Sequence, residues 1–172
     1  MFAITASSQN WLDNFKQMTD TINSILGTYS MDVIRVGVIV FGRDTETIPI
    51  QQNLNNNLQT AVGGLVPKLE VPDLDGALKE ARRAFKDGGR PDARKVIVVI
   101  SDRASDSSYE DIKAEADRLK EEDILLVSVV IGKEADANEL SPFTPHNVTE
   151  ATAEEDPKEL GMKIMVLVLK GK

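Results

Sequence analysis

The chain has 172 residues, 41% of them hydrophobic, a length that suits one domain with a real core and leaves little room for a second, so residues 1–172 read as a single domain. Its net charge is −8, and its 20 Lys and Arg are scattered, which argues against a nucleic acid partner and fits a basic protein, a divalent cation, a mineral surface or simple solubility. There is no Cys and a single His, which excludes disulfides, Cys/His zinc sites and thiol catalysis, and no apolar run approaches the roughly 20 residues of a membrane helix.

Phe2-Ala3-Ile4 reads as a strand cut short at its start. No charged region or cleavage site accompanies it, so a secreted origin makes the chain a mature fragment or a trimmed form. After the polar stretch Thr5 to Gln9, Trp11, Phe15, Met18, Ile22 and Ile25 recur at four-three-four-three spacing and predict a helix with one apolar face. Val33 to Phe41 is a near-continuous apolar run, as expected of a strand buried on both faces. Gly42-Arg43-Asp44 then turns the chain into β-branched Thr45 to Ile48, predicting an antiparallel hairpin strand that Pro49 ends at a sheet edge. Asn53 to Leu65 predicts a short helix.

Leu74, Ala77, Leu78, Ala81 and Phe85 mark the next helix, with Asp73 placed to cap it. Lys86 to Pro91 predicts a loop, and Val96 to Ile100 a buried strand ending in Ser101-Asp102. Ile112, Ala116 and Leu119 follow on a helix that Ser107 and Glu110 open as a capping box. Ile124 to Ile131 is a further buried strand, and Asn147 to Thr149 a short edge strand. Asp156-Pro157 starts the last helix, where Leu160, Ile164, Leu167 and Val168 keep helical spacing although Ile164 to Leu169 also has strand propensity. Strand alternating with helix predicts an α/β fold: a three-layer, doubly wound, Rossmann-like sheet of about six strands, mostly parallel, with one antiparallel edge strand and helices on both faces.

In such a sheet, ligands sit beyond the carboxyl ends of the strands. Ser7 and Asp102 are both expected on that edge, where hydroxyl and carboxylate oxygens suit a hard cation such as magnesium. His146 has no second imidazole or Cys near it and is not expected to bind metal. Neither Ser7 nor Ser8 lies in a Gly-x-Ser-x-Gly elbow, so a nucleophile role is not favoured. Asn147-Val148-Thr149 is an N-glycosylation sequon, with Asn147 as acceptor. Glu150, Glu154, Glu155, Asp156 and Glu159 form an acidic cluster, read as a solvated face or, more sharply, as a calcium or mineral contact.

Arg35 to Phe41, Leu74-Asp75-Gly76-Ala77-Leu78 and Lys95 to Asp102, taken in this order, resemble the von Willebrand factor type A domain of the extracellular, adhesive branch. That resemblance implies a metal-ion-dependent adhesion site built from Asp-x-Ser-x-Ser, a Thr from a second loop and an Asp from a third. Carried over, these positions fall on Thr5, Ser7, Gln9, Pro72 and Asp102, so only Ser7 and Asp102 keep the pattern, and Arg103 stands where Gly is usual. Thr5, Gln9 and Asp73 are the candidate substitute ligands; alternatively Asp73 caps its helix and Arg103 pairs with Asp102. The resemblance implies a non-enzymatic, extracellular protein-binding or adhesion module with a degenerate metal site, no cofactor, and a matrix partner such as collagen or another adhesion module. Two alternatives stand beside it: an acidic matrix protein of mineralised tissue, and a small α/β hydrolase or nucleotide-binding protein.

Overall fold

A computed structural model describes residues 1–30, 32–50, 55–144 and 148–170. Six strands, β1 (Phe2–Thr5), β2 (Val38–Phe41), β3 (Thr45–Ile48), β4 (Lys95–Ser101), β5 (Ile124–Ile131) and β6 (Val148–Ala151), form one sheet in the order β3-β2-β1-β4-β5-β6. Every pairing is parallel except β2 with β3, so the hairpin strand is the antiparallel edge expected from its turn and its β-branched residues. The sheet is an α/β arrangement with helices on both faces, α1 (Trp11–Thr28), α2 (Asn55–Gly63), α3 (Leu74–Gly88), α4 (Tyr109–Glu121), α5 (Ala137–Leu140) and α6 (Pro157–Lys170).

Side chains alternate across a pleated strand, so each central strand feeds two cores. Phe2, Ile4, Val38, Val40, Val98, Ile100, Val127 and Val129 join Phe15, Met18 and Ile22 of α1, Leu58 of α2, and Leu160 and Ile164 of α6. The other face sends Ala3, Ile39, Phe41, Ile97, Val99 and Leu126 against Leu74 and Leu78 of α3, Ile112 and Leu119 of α4, and Leu140 of α5. Burial on both faces explains why these strands read as unbroken apolar runs rather than alternating ones. On the second face, Glu115 is fully buried and accepts from Arg82 Nε at 2.6 Å and Arg118 Nη1 at 2.9 Å, while Arg82 Nη1 also reaches Glu122 at 2.9 Å, clasping α3 to α4. A buried charge is tolerated there because two guanidinium groups meet it.

Three boundaries differ from the sequence reading. β2 begins at Val38, not Val33: it pairs Phe2 on one side and Ile48 on the other, and Pro49 follows, so the ladder stops on both sides and Val33 lies 68% exposed. Helix α3 runs on through Gly88 into the expected loop, and its end is closed by Gly89 N–H to Phe85 O at 3.0 Å. Ser108, not Ser107, caps α4 by accepting from Asp111 N at 3.1 Å. Ser107 is diverted to the start of α3, where its Oγ accepts from Leu74 N and Asp75 N and donates to Asp75 Oδ1. The last segment is helical, opened by Asp156 Oδ1 accepting from Lys158 N and Glu159 N.

Candidate functional site

The carboxyl ends of β1 and β4 lie side by side, with Thr5 opposite Ser101. The next residue along β4's exit, Asp102, is fully buried. Its carboxylate closes over the β1–α1 loop: Oδ1 accepts from Ser7 N at 2.9 Å, and Oδ2 from Ser8 Oγ at 2.6 Å, Ser8 N at 3.3 Å and Asn14 Nδ2 at 3.0 Å. Asn14 Nδ2 also reaches Ser8 Oγ at 3.0 Å, so a single helical turn of α1 carries the second half of the clasp. Four donors around one carboxylate neutralise its desolvation cost.

Arg103, the alternative partner for Asp102, is exposed, and Asn14 occupies the role instead. An amide can reach a buried carboxylate without bringing a second charge into the interior, which the longer guanidinium would do. Ser7 and Asp102 are therefore brought together, but through the Ser7 backbone. The Oγ atoms of Ser7 and Thr5 are buried with no hydrogen-bond partner among the described residues. Gln9 is exposed.

Asp73 does cap α3: its Oδ1 accepts from Gly76 N at 3.0 Å. A Cβ at position 76 would lie 2.2 Å from the Asp73 carboxylate, so Gly76 is what lets the cap close. Burial, with Asp75 alongside, pushes the Asp73 carboxyl above the ordinary carboxylate range. Against its own burial, Asp75 is held below that range by Lys79, Asp73 and Ser107. Pro72 lines a small cavity of about 10 Å³ at the same edge, with Ser101, Arg103, Ser105, Asp136 and Glu139. That space holds about one water and no organic substrate.

Glu139 Oε1 accepts from Ser105 N at 2.9 Å and Ser105 Oγ at 2.5 Å, and burial raises its pKa despite these bonds. A carboxyl raised in the native state binds more protons there than when unfolded, so its contribution to stability falls as pH rises above its ordinary value of 4.5. Glu139→Gln keeps the acceptor for Ser105 and removes the titration. Urea midpoints taken across a pH series are expected to decline less steeply in the variant from pH 4.5 upward; parallel profiles would contradict the assignment.

Among the described residues no group of three or more His, Cys, Asp or Glu side chains is placed to hold a metal ion. Glu155 is instead ion-paired with Lys163, and its carbonyl accepts from Gln17 Nε2 at 2.7 Å. His146 and the sequon residue Asn147 lie outside the described residues. No helix among the described residues is long and apolar enough to cross a membrane.

The model of the von Willebrand factor type A domain matches residues 1–163. The chain belongs to that family. Solved structures with the von Willebrand factor A fold superpose on nearly all of it. Proximal thread matrix protein 1 from the mussel byssus aligns at TM-score 0.83 and 18% identity, covering 97% of this chain and 47% of that one. The manganese-loaded TRAP protein of Plasmodium vivax aligns at TM-score 0.75 and 15% identity, covering 95% of this chain and 70% of its own. The VWA domain of SpRpn10 aligns at TM-score 0.72 and 12% identity, covering 92% and 91%. The chain thus spans about half the length of the mussel protein it matches. At these identities the likeness establishes the fold. Domains of this family are in general interaction modules that bind protein partners, and matrix proteins are among those sharing the fold.

Asn14 is the functional-edge residue that sequence reasoning missed. One signal was available: Asn14, Gln17 and Thr21 recur at three-four spacing beside the apolar stripe of α1, and all three are buried. A buried polar side chain needs a partner.

Proposed function

We propose that this chain is a non-enzymatic, extracellular adhesion or matrix module that binds a matrix protein such as collagen through the carboxyl edge of its sheet, without a divalent cation. The observation that carries the reading is the state of Asp102. Its carboxylate already accepts four hydrogen bonds from Ser7, Ser8 and Asn14. A hard cation needs several oxygen ligands with enough negative charge to replace its waters. What remains at the positions of the family's ligands is the two neutral hydroxyls of Thr5 and Ser7, an exposed Gln9 and a proline at position 72, with the neighbouring Asp73 committed to its helix cap. This donor set does not fit magnesium or manganese.

The same edge offers apolar contacts in place of a metal bridge. Leu12 in the first turn of α1 is 63% exposed, Tyr109 at the start of α4 is 53% exposed, and Leu69, beside Glu70 that holds Arg43 N, is 58% exposed. Aromatic and large aliphatic side chains of this kind form the anchors of protein interfaces. The matrix protein from mussel byssus among the similar folds supports a matrix setting.

Titration calorimetry with magnesium or manganese at about millimolar concentration is expected to give no binding heat with the unmodified chain. The triple variant Thr5→Asp, Gln9→Ser and Pro72→Thr, which restores the family pattern, is expected to gain affinity. Retention on immobilised collagen should be the same in magnesium and in chelator, and should fall in Leu12→Asp. Tight magnesium binding by the unmodified chain would overturn the metal-independent reading; absence of any collagen retention would overturn the partner.

A further inference from the structure

The carboxyl edge of the sheet is where this acidic chain concentrates its negative charge. The loops leaving β4, β5 and β6 there hold Asp106, Glu134, Asp136, Glu154 and Asp156 among their acids, against Arg103 and Lys133. Helices α1, α3, α4, α5 and α6 start at this edge and add first-turn acids, Asp13, Asp75, Glu110, Glu139 and Glu159 among them. First-turn acids also answer the helix dipoles, so acidity alone does not make a site.

A second observation lies beneath those charges. Asp73 N donates to Gly42 O at 2.9 Å, just beyond β2, and Asp106 N donates to Pro72 O at 3.2 Å, beyond β4. Because β1 lies between β2 and β4, residues 72 and 73 cross over the end of β1. Alternation puts Thr5 on the same face as Ala3, the face that α3 covers, so its hydroxyl points under that crossing. Thr5 is fully buried and its Oγ1 has no hydrogen-bond partner; the buried Oγ of Ser7, two residues further out, has none either. Buried polar atoms are normally paired, so two orphans on one strand exit mark a place for a group from outside. Asp73 and Asp106, at the two anchors of the crossing, belong to none of the ion pairs formed among the described residues.

We propose, resting on the metal-independent reading of this edge, that it receives a lysine side chain of the protein partner, whose ammonium donates to the Thr5 and Ser7 hydroxyl oxygens between the carboxylates of Asp73 and Asp106. An ammonium suits what magnesium does not. It carries three donors, and neutral hydroxyl oxygens serve it as acceptors. It is also compact, whereas a guanidinium is a planar fork matched to a single carboxylate. Room at this edge is small: the cavity beside Pro72 measures about 10 Å³, space for one water-sized group. The exposed ring of Tyr109, three residues beyond Asp106, offers the incoming cation an aromatic face. An acidic side chain would meet the surrounding carboxylates and be repelled.

The test uses triple-helical host peptides of Gly-Pro-hydroxyproline repeats whose central triplets carry lysine, glutamate or neither, titrated into the whole chain in chelator at low ionic strength. The lysine peptide is expected to bind at least about tenfold more tightly than the glutamate peptide. Thr5→Val, which removes the orphan hydroxyl at constant shape, should weaken the lysine peptide about tenfold and keep a cooperative melt. Asp73→Asn with Asp106→Asn keeps a residue able to cap α3 and should weaken it at least as much. Glu154→Gln with Glu159→Gln removes the same charge beside β6 and α6 and should change the affinity less than about twofold. The proposal is overturned if lysine and glutamate peptides bind alike, if Thr5→Val binds as the unmodified chain does, or if the two charge-matched double variants lose equally, which would mean general acidity without a site. Immobilised collagen separates the readings: retention on collagen with no lysine-peptide binding overturns this proposal alone, whereas lysine-peptide binding without collagen retention supports it and removes collagen as the partner.

Discussion

Val129→Asp is expected to leave the chain unfolded at 25 °C. Val129 is fully buried in β5, between Ile100 of β4 and Thr149 of β6, and it belongs to the core that α1 and α6 cover. No cationic side chain belongs to that cluster. An ionised carboxylate there would cost several kcal/mol, and even the protonated form would lack partners. Domains have only about 5–15 kcal/mol to lose. Val38→Asp and Val98→Asp, at equally buried positions of β2 and β4, are expected to behave alike. Met162→Glu provides the contrast: that side chain is 48% exposed on the outer face of α6, and the change should stay within about 0.5 kcal/mol. Far-ultraviolet circular dichroism with urea titration separates the cases. A cooperative, wild-type-like transition for Val129→Asp would refute the burial of the central strands.

The architecture was legible because both faces of the sheet are covered. Double burial forces unbroken Val and Ile runs, and β5 spans the very residues, Ile124 to Ile131, that its run marks out. Helix faces were legible for a related reason, since one apolar stripe per helix meets one core. What the pattern could not show were choices made between distant segments. Val33 to Val36 read as part of a strand, yet the pairings of β2 end at Val38. Ser107 and Ser108 offer similar caps, and only the approach of α3 draws Ser107 away.

The same limit governs the candidate site. Ser7 and Asp102 could be placed on one edge because strand ends in such a sheet share an edge. The clasp that joins them runs through Asn14, which is 88 residues from Asp102, and its spacing with Gln17 and Thr21 marks a buried polar position without naming its partner.

Asp102→Ala separates a carboxylate that ties loops together from one that waits for a ligand. Removing it leaves Ser7 N, Ser8 N and the Asn14 amide without their acceptor at a buried site, although Asn14 and Ser8 Oγ retain each other. Hydrogen bonds to a charged group contribute about 1.5–3 kcal/mol each, and orphaned donors cost about 1–3 kcal/mol. With partial relaxation, the expected loss is about 3–5 kcal/mol, or roughly 10–15 °C in melting temperature for a domain of this size. Asp102→Asn should lose less, because the retained carbonyl still serves one side while its amide faces the Asn14 amide. Asn14→Ala combined with Asp102→Ala should cost less than the sum of the two, with a coupling of about 1–3 kcal/mol, since both remove one shared contact. Urea denaturation in chelator measures all four variants, and Trp11, whose backbone N–H donates to Ser8 O at 3.2 Å, reports the loop by fluorescence. If Asp102 were instead held ready for a cation, its loss would spare stability in chelator and abolish only a magnesium-induced gain. The full destabilisation appearing without any metal is the outcome that the four donors require.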